Sequence, residues 1–200
     1  MPNTIAVVAE DKLTQAVLHK CIADFLPDFS IARTEVKGGR GNVQRELGAY
    51  VHLAQVMPVL IGVDLDSDEC APTLIADWKA RYGTHQSLII RVAVCEIESW
   101  VIADCKRIAK LINAKSDDIT KTPDDLADPK NYFLEAVQAT APADMRNDLI
   151  PRNYNRYPRI GPAYNIQMCK FVEQRWRPHV AMKRSDSLAR AVTAIQNLAN

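Results

Sequence analysis

The segment Val59-Leu60-Ile61-Gly62-Val63 is a continuous apolar run that ends directly in Asp64-Leu65-Asp66. Apolar residues at every position, rather than at alternate positions, are typical of a strand that is covered on both faces. Ile5–Ala9 and Ser87–Val94 are similar runs, and Ser30–Val36 is a further strand candidate. The segment is therefore expected to be the third of four strands in a buried parallel sheet.

Helical patterns separate these strands, and the alternation predicts an α/β fold: an open, mostly parallel sheet of about four strands with right-handed crossovers. Apolar residues at helical spacing predict helices at Leu13–Phe25, Val43–Ala54, Leu74–Tyr82 and Glu96 to about Ile112.

The rest of the chain is expected to be helices and loops. Asp128-Pro129 predicts the start of a helix, because Asp is favoured at the N-cap and Pro at the first helical position. Residues 142–162 carry four prolines and predict an extended connection. A helix is expected over residues 162–176, and Ser185 is expected to cap a last one.

Charge divides the 200 residues into two unequal parts. Residues 1–150 hold 16 Lys and Arg against 22 Asp and Glu, a net −6, whereas residues 151–200 hold 9 against 2, a net +7. The basic part predicts either a surface for a polyanion or a segment that packs on the acidic body. We expect an α/β domain over residues 1–114 and a basic, mainly helical extension packed on it over residues 115–200.

Several classes of protein are disfavoured by the sequence. The longest apolar stretch, Val56–Val63, has eight residues, whereas a membrane-spanning helix needs roughly 20. The N-terminus lacks the pattern of a signal peptide, so a cytoplasmic location is expected. The cysteines are odd in number and widely spaced, which predicts free thiols and no zinc site. They are Cys21, Cys70, Cys95, Cys105 and Cys169.

Carboxylates follow three of the four predicted strands: Glu10 after the first, Asp64 and Asp66 after the third, and Glu96 and Glu98 after the fourth. In a parallel sheet these positions share the edge at which α/β proteins bind ligands. Clustered carboxylates repel one another unless a cation neutralises them, and oxygen-rich clusters suit Mg²⁺ or Mn²⁺. If the chain stays extended, both acids of Asp-x-Asp face the same side and can hold one ion.

Each acidic motif also has a simpler interpretation. Acids after a strand often cap the next helix or remain in solvent. Glu10-Asp11 alone is typical of a helix N-terminus, and Glu96 and Glu98 lie on one face of a strand or on different faces of a helix. Together, however, the three positions favour a metal site.

Other conspicuous residues are expected to be structural. Gly38-Gly39-Arg40-Gly41-Asn42 lacks the spacing of a phosphate-binding loop and predicts a turn. Trp78, Trp100 and Trp176 lie in apolar helical patterns and predict core anchors. Asp104 is expected to cap a helix or to pair locally.

The acids after the first and third strands resemble those of the TOPRIM (topoisomerase–primase) domain. More specifically, the chain resembles a bacterial family of unknown function that combines a Toprim-like sheet with a helical C-terminal extension. The matching segments span nearly the whole chain, and Glu-x-Glu-x-Trp taken with Asp-x-Asp is the most specific. They are Val8–Asp11, Val63–Asp66, Arg91–Trp100, Asp128–Lys130 and Gly161–Asn165.

This resemblance implies a Rossmann-like sheet that binds Mg²⁺ through Asp64 and Asp66, with Glu10 as a further ligand or general acid/base. In related nucleases of the overcoming-lysogenization-defect (OLD) type, such acids support hydrolysis of nucleic-acid phosphodiesters. Those proteins commonly work with an ATPase, and many serve in phage defence. Any ATPase partner would be a separate protein, because 200 residues leave no room for a P-loop domain. The Toprim motif usually has Gly after its first Glu, whereas this chain has Asp11.

The leading hypothesis is a Mg²⁺-dependent nuclease-like protein. Glu10, Asp64, Asp66 and Glu96 would be catalytic residues and metal ligands, and Glu98 a ligand or supporting acid. Basic side chains are expected to contact nucleic-acid phosphates. These are Lys130, Arg152, Arg156 and Arg159.

Two rival functions remain open at this stage. One is a non-catalytic subunit that binds nucleic acid or an ATPase, which the absence of the usual Gly favours. The other is a small-molecule phosphohydrolase or nucleotide-binding enzyme on the same fold, because a fold does not determine a function.

Overall fold

The computed structural model describes residues 3–66, 68, 70–151 and 160–199 of the chain. Four strands form one sheet in the order β2-β1-β3-β4, and every neighbouring pair is parallel. The predicted α/β fold, a four-stranded parallel sheet flanked by helices, is therefore confirmed. The strands are β1 (Asn3–Ala9), β2 (Phe29–Val36), β3 (Val59–Asp64) and β4 (Leu88–Ala93).

Helices connect the strands and make up most of the chain after β4. In the first part they are α1 (Lys12–Phe25), α2 (Arg40–Arg45), α3 (Leu47–Leu53), α4 (Ala71–Tyr82), α5 (Ile97–Ile102) and α6 (Cys105–Ile112). In the second part they are α7 (Pro129–Thr140), α8 (Ala143–Leu149), α9 (Tyr164–Gln174), α10 (Pro178–Ala181) and α11 (Asp186–Gln196).

The sheet separates two apolar clusters. On one face, Val43, Leu47 and Trp78 from α2, α3 and α4 pack against β-strand residues. On the other face the cluster is larger and runs from α1 through α5 to α11, so that residues before and after position 115 share one core. Burial of this apolar surface is the main stabilising term of the fold.

Glycine allows α1 to approach the centre of the sheet. All six residues of β3 are buried, and its Gly62 lies under α1. A Cβ atom at this position would lie 2.8 Å from Leu18 Cδ1 and 2.9 Å from Thr14 Cγ2. The missing side chain therefore sets the distance between the helix and the strand that carries Asp64.

Two predicted helices are each divided in the structure. The segment Val43–Ala54 lies in α2 and α3, which meet at Glu46. The segment from Glu96 to Ile112 lies in α5 and α6, which are separated at Ala103 and Asp104. Periodicity alone did not reveal these breaks, because the apolar residues continue at helical spacing on both sides of each break.

Asp104 explains the second break. It occupies the N-cap position of α6 as expected, but its side chain does not cap the helix. Instead it is fully buried and accepts hydrogen bonds from the Nε (2.9 Å) and Nη2 (2.7 Å) atoms of Arg177, which is 73 residues away. The expectation of a local pair was therefore wrong.

Predictions for the second part of the chain are correct at the helix starts. Asp128 Oδ1 accepts from the backbone N–H of Asn131 and caps α7, and Ser185 Oγ accepts from that of Leu188 and caps α11. The segment 142–162 is not extended throughout, because α8 lies within it. The three tryptophans are buried core residues, and all five cysteines are free, both as predicted.

Candidate carboxylate–lysine site

The carboxyl ends of β1, β3 and β4 bring the predicted acids to one edge of the sheet. Ala9 pairs with Gly62, and Asp64 pairs with Ala93, so that Glu10, Asp64 and Glu96 follow one another across neighbouring strands. We call Glu10, Asp64, Glu96, Glu98 and Lys130 the carboxylate–lysine site. The following contacts determine what each of these side chains can do.

Asp64 and Glu10 are linked through the backbone. Glu10 Oε2 accepts a hydrogen bond from the Asp64 backbone N–H at 3.0 Å. Asp64 Oδ1 accepts one from the Ile97 backbone N–H at 2.8 Å, at the first residue of α5. Anionic side chains are favoured at a helix N-terminus, which explains how a carboxylate that is only 8% exposed is held at this position.

The loop after β4 has a strained backbone that brings α5 against Asp64. Cys95 has φ = 60°, a left-handed conformation that is uncommon for residues other than glycine. Its carbonyl accepts from the Asp66 N–H at 2.9 Å, while the Leu65 N–H donates to Ala93 at the same distance. Strain of this kind is often found at functional sites.

Glu98 is the most buried acid of the site, and it lies on α5 rather than on a strand. Its Oε1 atom accepts from the Tyr164 hydroxyl at 2.9 Å and lies 3.4 Å from Lys130 Nζ. Its Oε2 atom is buried without a hydrogen-bond partner among the described residues. A buried carboxylate oxygen without a partner is costly, so this atom is a candidate ligand for a cation.

Glu96 binds the start of α7. Its Oε2 atom accepts from the Lys130 backbone N–H at 2.9 Å, and its Oε1 atom from Lys130 Nζ at 3.0 Å. Both oxygens are therefore occupied by one residue. Lys130 was predicted to contact phosphate, which stays a prediction; its ammonium group lies between Glu96 and Glu98.

Asp66 differs from Asp64 although it is only two residues away. The strand ends at Asp64, and Asp66 has φ = 53°, so the two acids are not on one extended face. Asp66 is exposed and lies 3.8 Å from Arg40, which also pairs with Asp68 at 2.5 Å. Arg40 Nη1 further donates to the carbonyls of Asp64 and Leu65, so that it holds the Asp-x-Asp loop from outside.

Burial and the closeness of the acids to one another shift the pKa values of the site. Burial, followed by the charges of Glu98 and Glu10, raises the pKa of Asp64 well above its usual range. Burial raises the pKa of Glu98 to about 7, although Lys130 acts in the opposite direction. Burial lowers the pKa of Lys130, but the charges of Glu98 and Glu96 outweigh it, so that this pKa is raised. The site is thus a cluster of mutually repelling acids with the ammonium group of Lys130 among them.

The donor set is suited to a hard divalent ion in kind: carboxylate oxygens, one of them unpartnered, in a strongly negative environment. In their present arrangement, however, no three Asp, Glu, His or Cys side chains of the described residues are placed to hold one ion. Lys130 supplies the positive charge instead. A cation would require a rearrangement of the site, and Glu10, Asp64 and Glu98 are the acids that remain to bind it, since Glu96 is occupied by Lys130 and Asp66 lies outside with Arg40.

Two contacts of this site were not predicted from the sequence, those of Tyr164 and Arg40. Tyr164 was noticed only as part of a family motif, and nothing in its helical pattern indicates a bond to Glu98. Arg40 was assigned to a turn, and the turn is present at Gly38 and Gly39, which both have positive φ. The contacts of Arg40 with the Asp-x-Asp loop come from tertiary packing, which the turn prediction did not reveal. Arg152, Arg156 and Arg159 lie outside the described residues, so their predicted phosphate contacts remain predictions.

Comparisons with known proteins add one distant structural likeness. No family model matches the sequence, and no curated protein matches it. The C-terminal region of the Burkholderia pseudomallei OLD protein is similar in structure with a TM-score of 0.47 and 10% identity, over 98% of each chain. None of the helices in the described ranges is long and apolar enough to cross a membrane.

Proposed function

We propose that the chain is a divalent-cation-dependent, nuclease-like phosphodiesterase and that the carboxylate–lysine site is its catalytic centre. The observation that carries this proposal is Glu98, a fully buried acid with one unpartnered oxygen beside Asp64. A structural carboxylate gains nothing from such an arrangement, whereas a cation ligand requires a free oxygen atom. Glu10, Asp64 and Glu98 would hold Mg²⁺ or Mn²⁺.

The cation would act as a Lewis acid and would lower the pKa of a bound water to give the nucleophile. The chain's own residues would position this chemistry. The Ile97 N–H fixes Asp64, and the Tyr164 hydroxyl fixes one oxygen of Glu98. Lys130, whose Nζ atom lies 3.4 Å from Glu98, would stabilise negative charge on a bound phosphate. Glu96 holds Lys130 in place through the backbone and the ammonium group.

The proposal is tested by incubating the full chain with single- and double-stranded DNA and RNA in Mg²⁺ or Mn²⁺. We expect cleavage that Asp64→Asn and Glu98→Gln each reduce by on the order of 100-fold or more, because each substitution removes a charged ligand. Asp77→Asn is the matched control, because it makes the same chemical change at an exposed acid of α4. Cleavage that persists in Asp64→Asn would place the chemistry elsewhere.

A second function is favoured by a different observation. Lys130 already neutralises Glu96 and Glu98, which is the arrangement expected of a site that holds no metal. In this alternative the chain is a non-catalytic subunit of a phage-defence or DNA-processing system that binds nucleic acid or a separately encoded ATPase. It predicts binding with a steep salt dependence but no metal-dependent cleavage. A Mg²⁺ titration that leaves the melting temperature unchanged would favour it over the enzyme.

A further inference from the structure

A pocket lies on the outer side of β4, away from the carboxylate–lysine site. β4 is an edge strand of the sheet, and α4 and α11 flank it on its open side. The pocket has a volume of about 330 Å³, within the range of small-molecule sites. We call it the arginine pocket; it is lined by Ala71, Pro72, Ile75, Arg91, Val92, Val94, Ser187 and Arg190.

Arg91 is an unusual residue at its position. In β4 it lies two residues from Ile89 and two from Ala93, so that the three side chains share one face of the sheet. Both Ile89 and Ala93 belong to the apolar core under the helices. The Nε atom of Arg91 is buried and has no hydrogen-bond partner within the described ranges. A guanidinium group in such a place is costly unless an anion reaches it.

Arg190 makes the arrangement less favourable still. It reaches the same pocket from α11, and burial together with its charge lowers the pKa of Arg91. Neither arginine forms an ion pair with a carboxylate of residues 3–66, 68, 70–151 or 160–199, and the lining contains no acid. Two cations from distant parts of the chain thus lie in one pocket without a counter-ion among the described residues.

The remaining walls indicate what kind of anion fits. Pro72, Ile75 and Val92 give the pocket an apolar side. Ser187 does not add a free hydroxyl, because its Oγ accepts from Trp100 Nε1 at 2.6 Å and pairs with Ser185. Arginine forks match the geometry of phosphate oxygens, while the apolar side suits an organic group.

We propose that the arginine pocket binds a phosphate monoester, with the phosphate on Arg91 and Arg190 and a compact organic group against the apolar wall. This site is independent of the proposed catalytic function, because none of its lining residues belongs to the carboxylate–lysine site. A free mononucleotide and the phosphorylated end of a strand both present this chemistry.

The test is calorimetric titration of the full chain at low salt with 5′-AMP, inorganic phosphate and adenosine. We expect 5′-AMP to bind one to one and more tightly than phosphate, and adenosine not to bind. Arg91→Gln and Arg190→Gln should each weaken 5′-AMP binding by about 10-fold or more, as expected for the loss of a charged hydrogen-bond donor. Arg81→Gln, on the exposed side of α4, removes the same charge and should have no effect. Glu98→Gln should bind 5′-AMP like the wild type even if it abolishes cleavage.

Absence of 5′-AMP binding at millimolar concentration, or equal losses in Arg91→Gln and Arg81→Gln, would overturn the proposal. Equal affinity for phosphate and 5′-AMP would overturn the contact with the apolar wall. If Arg91→Gln does not fold, the binding of 5′-AMP to Arg190→Gln tests the proposal instead, because Arg190 is exposed. A trinucleotide with and without a 5′-phosphate then separates the two sources: phosphate-dependent binding of the trinucleotide indicates strand ends, and its exclusion indicates free mononucleotides.

Discussion

Two buried acids at opposite ends of α5 differ in how their negative charge is compensated. Glu98 lies in the first turn of the helix, and Asp104 lies just after its end; they are 1% and 0% exposed. Each is paired with one basic residue from the second part of the chain. Asp104 has Arg177, and Glu98 has Lys130.

The two partners satisfy their acids to different degrees. Arg177 donates two side-chain hydrogen bonds to Asp104, one to each oxygen, and its backbone N–H adds a third at 3.2 Å. Lys130 is shared between Glu96 and Glu98 and reaches only one oxygen of Glu98. A planar guanidinium saturates a carboxylate, whereas an ammonium group is a point charge that leaves an oxygen available. The comparison therefore distinguishes a structural ion pair from a site with spare binding capacity.

The largest stability effect is expected at the structural pair. Arg177→Ala should destabilise the protein by about 3–5 kcal/mol, because it leaves Asp104 as a buried charge without its partner. Denaturant unfolding followed by circular dichroism measures the change. Arg175→Ala is the control, since Arg175 is a neighbouring exposed arginine whose side chain forms no ion pair with an acid among the described residues. A loss below 1 kcal/mol would contradict the prediction and would show that the Arg177 bonds to Asp104 contribute little to stability.

Ionised Glu98 is expected to destabilise the fold, whereas the Asp104–Arg177 pair stabilises it. Its pKa rises from 4.5 in the unfolded chain to about 7 in the fold. The folded state therefore holds more protons than the unfolded state between these values, so that the contribution of Glu98 to stability is present below pH 4.5 and is lost as the pH rises through 7. At pH 8 the cost is roughly 3 kcal/mol, an order-of-magnitude figure.

Glu98→Gln should remove this cost. The variant should match the wild type near pH 4.5 and should become more stable than the wild type as the pH increases to 8, measured by urea unfolding in EDTA. Asp77→Asn, an exposed acid, should run parallel to the wild type throughout. If the stability difference between Glu98→Gln and the wild type does not change with pH, the pKa of Glu98 is not raised by folding, which would contradict the prediction.

The sequence predicted the sheet well because both determinants are local. Continuous apolar runs such as Ile5–Ala9 require cover on both faces, and acids at the strand ends follow from the direction of the chain. The cap at Ser185 was equally visible, since its bond to Leu188 spans only three residues. In these places local preference and tertiary structure agree.

The contacts that separate Glu98 from Asp104 could not be predicted in this way. Tyr164 is 66 residues from Glu98 and Arg177 is 73 residues from Asp104, so neither pairing leaves a periodic signal. The difference between Asp64 and Asp66 depends on a left-handed residue that sequence spacing does not encode. Identifying the acids was possible from residue type and position, but their individual environments are set by packing.

The smallest effect is expected at Oε1 of Glu98, the oxygen that accepts from Tyr164. Tyr164→Phe removes the hydroxyl that donates to Oε1 at 2.9 Å while it keeps the ring, which packs edge-on against Phe133. We expect the free energy of unfolding to fall by about 1–2 kcal/mol near neutral pH, because a buried hydrogen bond to a charged group is removed.

The bond between Tyr164 and Glu98 also favours the ionised form of the acid, so Tyr164→Phe should raise the pKa of Glu98 further. This is measured as a shift to higher pH of the transition that Glu98→Gln abolishes. Tyr132→Phe, which removes a hydroxyl bonded to the Thr120 backbone instead, should leave that transition in place. A transition that stays at the same pH in Tyr164→Phe would mean that the Tyr164 hydroxyl does not affect the pKa of Glu98, which burial and the neighbouring charges would then set.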